Sequence, residues 1–137
     1  MQRLVNDPVN YVDEMLEGIY KSAPNDVCFV ANDKRCYVTK HKKTGKVALI
    51  TGGGSGHLPL FLGYVGEGLL DGCGVGGVFQ SPSPDQILEI TKETASGAGA
   101  LYIDGIYGGD IMNFGFVKER ADTKEIQAPA PIAGAAV

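Results

Sequence analysis

Two stretches of this chain place ionisable side chains where the backbone turns sharply. In the first, Gly52-Gly53-Gly54-Ser55-Gly56-His57 follows the apolar run Lys46-Val47-Ala48-Leu49-Ile50-Thr51. In the second, Tyr107-Gly108-Gly109-Asp110 follows Ala100-Leu101-Tyr102-Ile103. If both runs are strands of a parallel sheet, His57 and Asp110 lie beyond its carboxyl edge, where such sheets hold ligands. A histidine that hydrogen-bonds an oxygen and a carboxylate that accepts a proton suit acid–base work on a small hydroxyl- and carbonyl-rich molecule. Glycines at 52–54 and 56 would let that molecule approach backbone N–H groups, with Ser55 adding a hydroxyl. The plainer reading of Asp110 is a helix N-cap, and of His57 a structural imidazole.

Two phosphate-loop patterns fail here. A Walker loop needs lysine after its last glycine, and Gly56 is followed by His57. A dinucleotide fingerprint needs a third glycine where His57 stands. Gly72-Cys73-Gly74-Val75-Gly76-Gly77 fits that fingerprint by letter, but it precedes an expected strand at Val75–Phe79 rather than following one. Asp71 falls near the spacing of a ribose-binding acid, which means little without the glycines.

The elements that must position these turns are legible in outline. Val12, Met15, Leu16, Ile19 and Tyr20 recur at helical spacing, with Asp7 as cap and Pro8 in the first turn. Val27–Ala31 and Arg35–Thr39 read as a hairpin around Asn32-Asp33, and His41–Gly45 as a basic, solvated turn. Leu60–Gly66 reads as a helix entered through Pro59. Ser83-Pro84-Asp85-Gln86 is a helix opening with a capping box, and it turns Ile87, Leu88 and Thr91 toward the core. Tyr64, Tyr102 and Tyr107 read as core or rim. Strand, glycine turn and helix recur three times, which predicts right-handed crossovers and an α/β fold: three layers around a mainly parallel sheet. The expected domain is 1–120. Residues 121–137, rich in Ala and Pro, read as a tail or the start of a continuation.

Composition bounds the rest. The 137 residues, 44% hydrophobic and 20% charged, fit one globular domain. A net charge of −4 argues against nucleic acid or an anionic membrane as partner, and no apolar run approaches the ~20 residues of a membrane span. Twenty glycines are about twice the usual ~7% share, and they cluster at turns. Cys28, Cys36 and Cys73 form neither a CxxC nor a zinc pattern with His41 and His57, so reduced thiols and a cytoplasmic protein without a secretory leader are expected.

Lys46–His57, Gly63-Tyr-Val-Gly66, Phe79-Gln-Ser-Pro-Ser-Pro-Asp85 and Tyr107–Phe114, with the opening Leu4-Val-Asn-Asp7, together resemble the ketose-binding K domain of the dihydroxyacetone kinase family. The resemblance covers about residues 1–120 in order. It implies the N-terminal part of a K-type domain, cytoplasmic and usually dimeric, acting on dihydroxyacetone or a four-carbon ketose such as erythrulose. It also implies a separate L-type domain or subunit that holds ATP, or a tightly bound ADP, with magnesium; no cofactor or metal is expected on this chain. Carried over residue by residue, Gly54, Ser55, Gly56 and His57 would line the substrate, with His57 bonding its oxygen, and Asp110 would orient or deprotonate the attacking hydroxyl. Leu58, Gly105 and Ile106 stand where dihydroxyacetone-specific members carry glutamate, lysine and asparagine, and these positions resemble the erythrulose branch. The family's second histidine, which forms a hemiaminal with the substrate carbonyl, would lie beyond residue 137, and His41 is misplaced to replace it. A chain of this extent is thus expected not to complete a reaction alone. The alternatives are a ketose-binding sensor that contacts a transcriptional regulator, and an inactive fragment.

Overall fold

In the computed structural model, residues 4–123 and 132–134 are described. The first helix, α1, spans Tyr11–Ser22, starting later than the sequence predicts. Asp7 does not cap it. Its carboxylate accepts the Val9 N–H at 2.9 Å and its carbonyl accepts the Asn10 N–H at 3.1 Å, closing a turn of their own. Such local side-chain bonding competes with helix, so Asn10 takes the cap position. Val12 and Leu16 are the buried face of α1.

Strands β1 (Val27–Val30) and β2 (Asp33–Thr39) form the expected hairpin. Its two connecting residues, Ala31 and Asn32, have φ of 55° and 54°, the left-handed pair that matches strand twist in a two-residue turn. β3 (Ala48–Gly53) is the central strand, starting at Ala48 rather than Lys46. Asp71 works as its clamp: its carboxylate accepts the Leu49 N–H at 2.7 Å and pairs with Lys46 Nζ at 2.7 Å.

Two elements differ from expectation. Leu60–Gly66 is not a helix but a set of tight turns, with only Leu62–Tyr64 in a short 3₁₀ turn. Pro59 packs against Gly63, whose N–H makes a single α-type bond to the Pro59 carbonyl, while the Gly66 N–H bonds forward to the Leu70 carbonyl and ends any helical run. The second strand, β4, is Gly72–Val75, not Val75–Phe79. The first four residues of the glycine run that matched a dinucleotide fingerprint by letter are therefore themselves a buried strand. Its glycines leave room for neighbours: a Cβ on Gly72 would lie 2.4 Å from an Ile90 methyl, and one on Gly74 2.9 Å from Pro82.

Helix α2 (Pro84–Thr94) opens with the predicted capping box, the Ser83 hydroxyl accepting the Gln86 N–H while Gln86 accepts that of Ser83. Strand β5 (Ala100–Asp104) and helix α3 (Gly108–Thr123) follow. Ile132–Gly134, within the stretch read as a tail, form β6 against β5; residues 124–131 and 135–137 of that stretch lie outside the described residues.

The sheet runs β1-β2-β4-β3-β5-β6. The last four strands in that order are mutually parallel, and the β1–β2 hairpin adds an antiparallel edge at β4. The three layers are as expected. One face packs Ile50, Val38 and Tyr102 under α2 and α3, where Phe114 and Val117 are fully buried. The other packs Tyr37, Cys73 and Val75 against Leu16 of α1 and against Phe61 and Leu62 of the turn segment. The three thiols are free; burial pushes Cys36 up to about 12 and Cys73 upward as well, so both behave as small apolar core groups. Among the described residues no helix is long and apolar enough to cross a membrane.

Candidate active site

The glycine turn after β3 is built by close approach of two backbones. A Cβ on Gly53 would fall 2.1 Å from the Phe61 ring, and one on Gly76 only 1.7 Å from the Gln80 carbonyl oxygen. Gly76 N–H donates to Gly53 O, Ser55 N–H to Gly77 O and Gly56 N–H to Val78 O, at 2.8–2.9 Å. Of the amides that the glycines were expected to open to a ligand, that of Gly56 is taken up here, donating to the adjoining 77–78 segment as the Ser55 amide does. What the turn does instead is fasten the end of β3 to the segment leaving β4 and hold Ser55–His57 in one 3₁₀ turn that carries His57 outward.

His57 sits among three aromatic rings. Tyr107 stacks on it at 5.4 Å and 27°, while Phe61 and Phe79 meet it edge-on at 6.2 and 6.1 Å. The rings fix the plane of the imidazole while leaving its nitrogens without hydrogen-bond partners among the described residues. A nitrogen so held can donate to or accept from a bound oxygen.

Asp110 comes from the other side. β5 ends at Asp104, the chain turns through Gly105-Ile106, and α3 starts at Gly108. Asp110 is therefore the third residue of the helix rather than its N-cap, with its side chain 1% exposed and Oδ1 unpartnered. Burial raises its pKa above the ordinary 3.8, and the Asp104 charge pushes the same way. A hydrogen bond from Ser81, the nearby His57 and the Tyr107 N–H oppose that rise. Gly109 is what lets Ser81 in, since a Cβ there would lie 2.7 Å from the Ser81 hydroxyl. Asn113 Nδ2 donates to Pro82 O at 2.8 Å and ties α3 to the same loop.

These walls enclose a pocket of about 520 Å³ lined by Gly54, His57, Phe79, Gln80, Ser81, Tyr107, Gly109, Asp110 and Asn113, within the usual range for a small-molecule site. The structure thus brings Gly54, His57 and Asp110 together at the carboxyl edge of the sheet. Ser55 and Gly56 are not among the lining residues; Ser55 is buried behind the turn with its Oγ unpartnered, and Gly56 borders a separate groove with Tyr11, Val78 and Phe79. Sequence reasoning missed Ser81 and Asn113 as site residues and left Tyr107 as rim. All three lie within stretches that carry the family resemblance, Ser81 in Phe79–Asp85 and Tyr107 and Asn113 in Tyr107–Phe114. Among the described residues no cluster of three or more His, Cys, Asp or Glu could hold a metal.

The fold is a mixed α/β sheet with helices on it, and an acid and an imidazole meet over the carboxyl edge of its parallel strands. More particularly, residues 17–133 match the Dak1 domain, and the chain belongs to that family. It is 44% identical over 126 residues to the dihydroxyacetone-binding subunit DhaK of a PTS-dependent dihydroxyacetone kinase from Lactococcus lactis, covering 92% of this chain and 38% of that protein. It is 38% identical over 129 residues to a D-erythrulose kinase from Mycolicibacterium smegmatis, covering 93% and 22%. The dihydroxyacetone kinase of C. freundii, solved with AMP-PNP and Mg²⁺, superposes with a TM-score of 0.86 at 31% identity over 97% of this chain and 25% of that one. A dihydroxyacetone kinase operon co-activator, DhaQ, superposes at 0.80 with 28% identity over 89% and 36%. The chain thus spans about two-fifths or less of the length of these relatives.

Proposed function

We propose that this chain is the part of a ketose kinase that binds the sugar, dihydroxyacetone or a four-carbon ketose such as erythrulose, and readies its hydroxyl for phosphorylation. The observation that carries this reading is the meeting of His57 and buried Asp110 in one pocket, from two separate strand-to-helix turns. His57 hydrogen-bonds a sugar oxygen, held flat by Tyr107. Gly54 lines the sugar directly, while Ser55 and Gly56 contribute by forming the turn that aims His57. Asp110 takes the proton from the primary hydroxyl as its oxygen attacks the terminal phosphorus of the donor. The phosphorus–oxygen bond to the nucleoside diphosphate breaks, and Asp110 is left protonated. A carboxylate whose pKa is raised by burial is a better base for a poor alcohol nucleophile than a solvated one. Magnesium and ATP, or a tightly held ADP, belong on a separate L-type domain or subunit. The working assembly is a cytoplasmic homodimer meeting that partner.

Leu58 and Gly105, the positions that resemble the erythrulose branch, border other grooves than the pocket of His57 and Asp110. No long side chain projects from position 105, where a Cβ would already lie 3.1–3.2 Å from Phe61 and Tyr107. A second reading, a ketose sensor without transfer, draws support from the likeness to the co-activator. Phosphoryl transfer to erythrulose and dihydroxyacetone, assayed in the complete subunit joined to its nucleotide-holding partner, separates the two. Asp110→Asn is expected to lower turnover about 10²–10⁴-fold with a much smaller loss of sugar affinity, and His57→Asn to weaken both. Sugar binding without any transfer would favour the sensor.

A further inference from the structure

Asp104 is the last residue of β5 and is absent from the pocket that holds His57 and Asp110. Its side chain is 3% exposed; Oδ1 accepts the Ile106 N–H at 2.7 Å, while Oδ2 is buried with no partner among the described residues. A half-satisfied buried carboxylate is costly compared with an apolar residue at a strand end. What it holds is also costly. Ile106 has φ +58°, the left-handed region that a β-branched side chain tolerates worst. The residues directly beyond this turn are Tyr107, stacked on His57, and the opening of α3 that bears Asp110.

We propose that Asp104 is a positioning residue of the site: by accepting the Ile106 amide it holds the left-handed turn that delivers Tyr107 to the His57 ring and Asp110 to the pocket. The inference rests on the reading of His57 and Asp110 as the working pair, but its geometry can be tested without any sugar. The same carboxylate has an electrostatic consequence. Its negative charge disfavours ionisation of Asp110 and adds to burial, against the Ser81 hydroxyl, the Tyr107 N–H and His57, which face Asp110 from the 79–82 loop, its own helix start and the 3₁₀ turn.

The test is NMR on the full 137-residue chain. The stacked Tyr107 ring displaces the His57 ring-proton resonances, and Tyr107→Leu calibrates the displacement. Asp104→Ala is expected to remove more than half of it. Asp104→Ala with Ile106→Gly is expected to restore it, because glycine adopts positive φ unaided. Asp104→Asn should keep the displacement, since the amide oxygen can accept the same N–H, while the carboxyl titration midpoint of Asp110 falls. An unchanged displacement in Asp104→Ala, no recovery in the double variant, or an Asp110 midpoint that does not fall in Asp104→Asn would each overturn the proposal. If Asp104→Ala alone does not fold, the double variant decides: a parent-like displacement supports the role, and a missing one overturns it. Titrating the parent chain with erythrulose reports separately on the ketose reading, so that reading can fail while the turn's role stands.

Discussion

Asp110 carries opposite demands in one side chain. The base proposed here must be ionised near neutral pH, yet burial favours the protonated form of Asp110. Because its folded pKa is raised above 3.8, its contribution to stability is fully present below that value and is lost as pH rises through the folded pKa. At neutral pH the ionised carboxylate therefore lowers stability. Asp110→Asn is expected to raise the melting temperature at pH 7, with the gain shrinking as pH falls toward the acid range. Thermal unfolding across that range checks it, and a variant less stable at neutral pH would mean that hydrogen bonds from Ser81 and Tyr107 outweigh burial. A stabilised variant that loses turnover is the pattern of a functional group held at a cost to the fold. His57 and Asp110 were legible in the sequence because each follows an apolar run at a glycine turn. The parts played by Ser81 and Asn113 were not, because they depend on how the 79–82 loop meets α3, nor was the stacking of Tyr107, which depends on how two separate turns meet. The N-cap reading of Asp110 failed because the helix opens two residues earlier, at Gly108, where glycines hide a helix start.

At the level of elements, glycine is where sequence reading was weakest and where the site is most exacting. β4 was misplaced because Gly-Cys-Gly-Val has little intrinsic strand preference; it is a strand because its neighbours leave space only for glycine. The start of α2 was legible to the residue because a capping box is a local signal, and Ser83→Ala is expected to cost about 1 kcal/mol in urea unfolding. Gly76→Ala should cost more than about 2 kcal/mol, since the clash is with backbone rather than a movable side chain. Gly53→Ala meets the Phe61 ring instead, so Phe61→Leu in that background should recover part of the loss. Equal effects of the two alanines, with no recovery by Phe61→Leu, would show that the turn is looser than the packing implies. The helix expected at Leu60–Gly66 is absent for a related reason: Phe61 turns inward to pack against Gly53, and the Gly66 N–H bonds forward to Leu70 rather than back along a helix.

The whole molecule presents the pocket of His57 and Asp110 at one edge of the sheet, and the sequence order of strands was enough to foresee the layers and the mainly parallel sheet. It did not foresee β6, because Ile-Ala-Gly between prolines and alanines carries no periodic signal. The chain's two histidines are His57 and His41, and His41 pairs with Asp26 on the solvent side of the β1–β2 hairpin, exposed and outside the pocket. Binding to this chain is therefore expected to be weak, reversible and without a covalent adduct in intact-mass spectra. The most direct test of the central claim is calorimetric titration of the 137-residue chain with erythrulose and dihydroxyacetone, beside its His57→Asn variant. The expected result is saturable binding that weakens about tenfold in the variant, the loss of roughly one good hydrogen bond. No binding by the parent chain, or equal affinity in His57→Asn, would contradict the assignment of this pocket to a ketose.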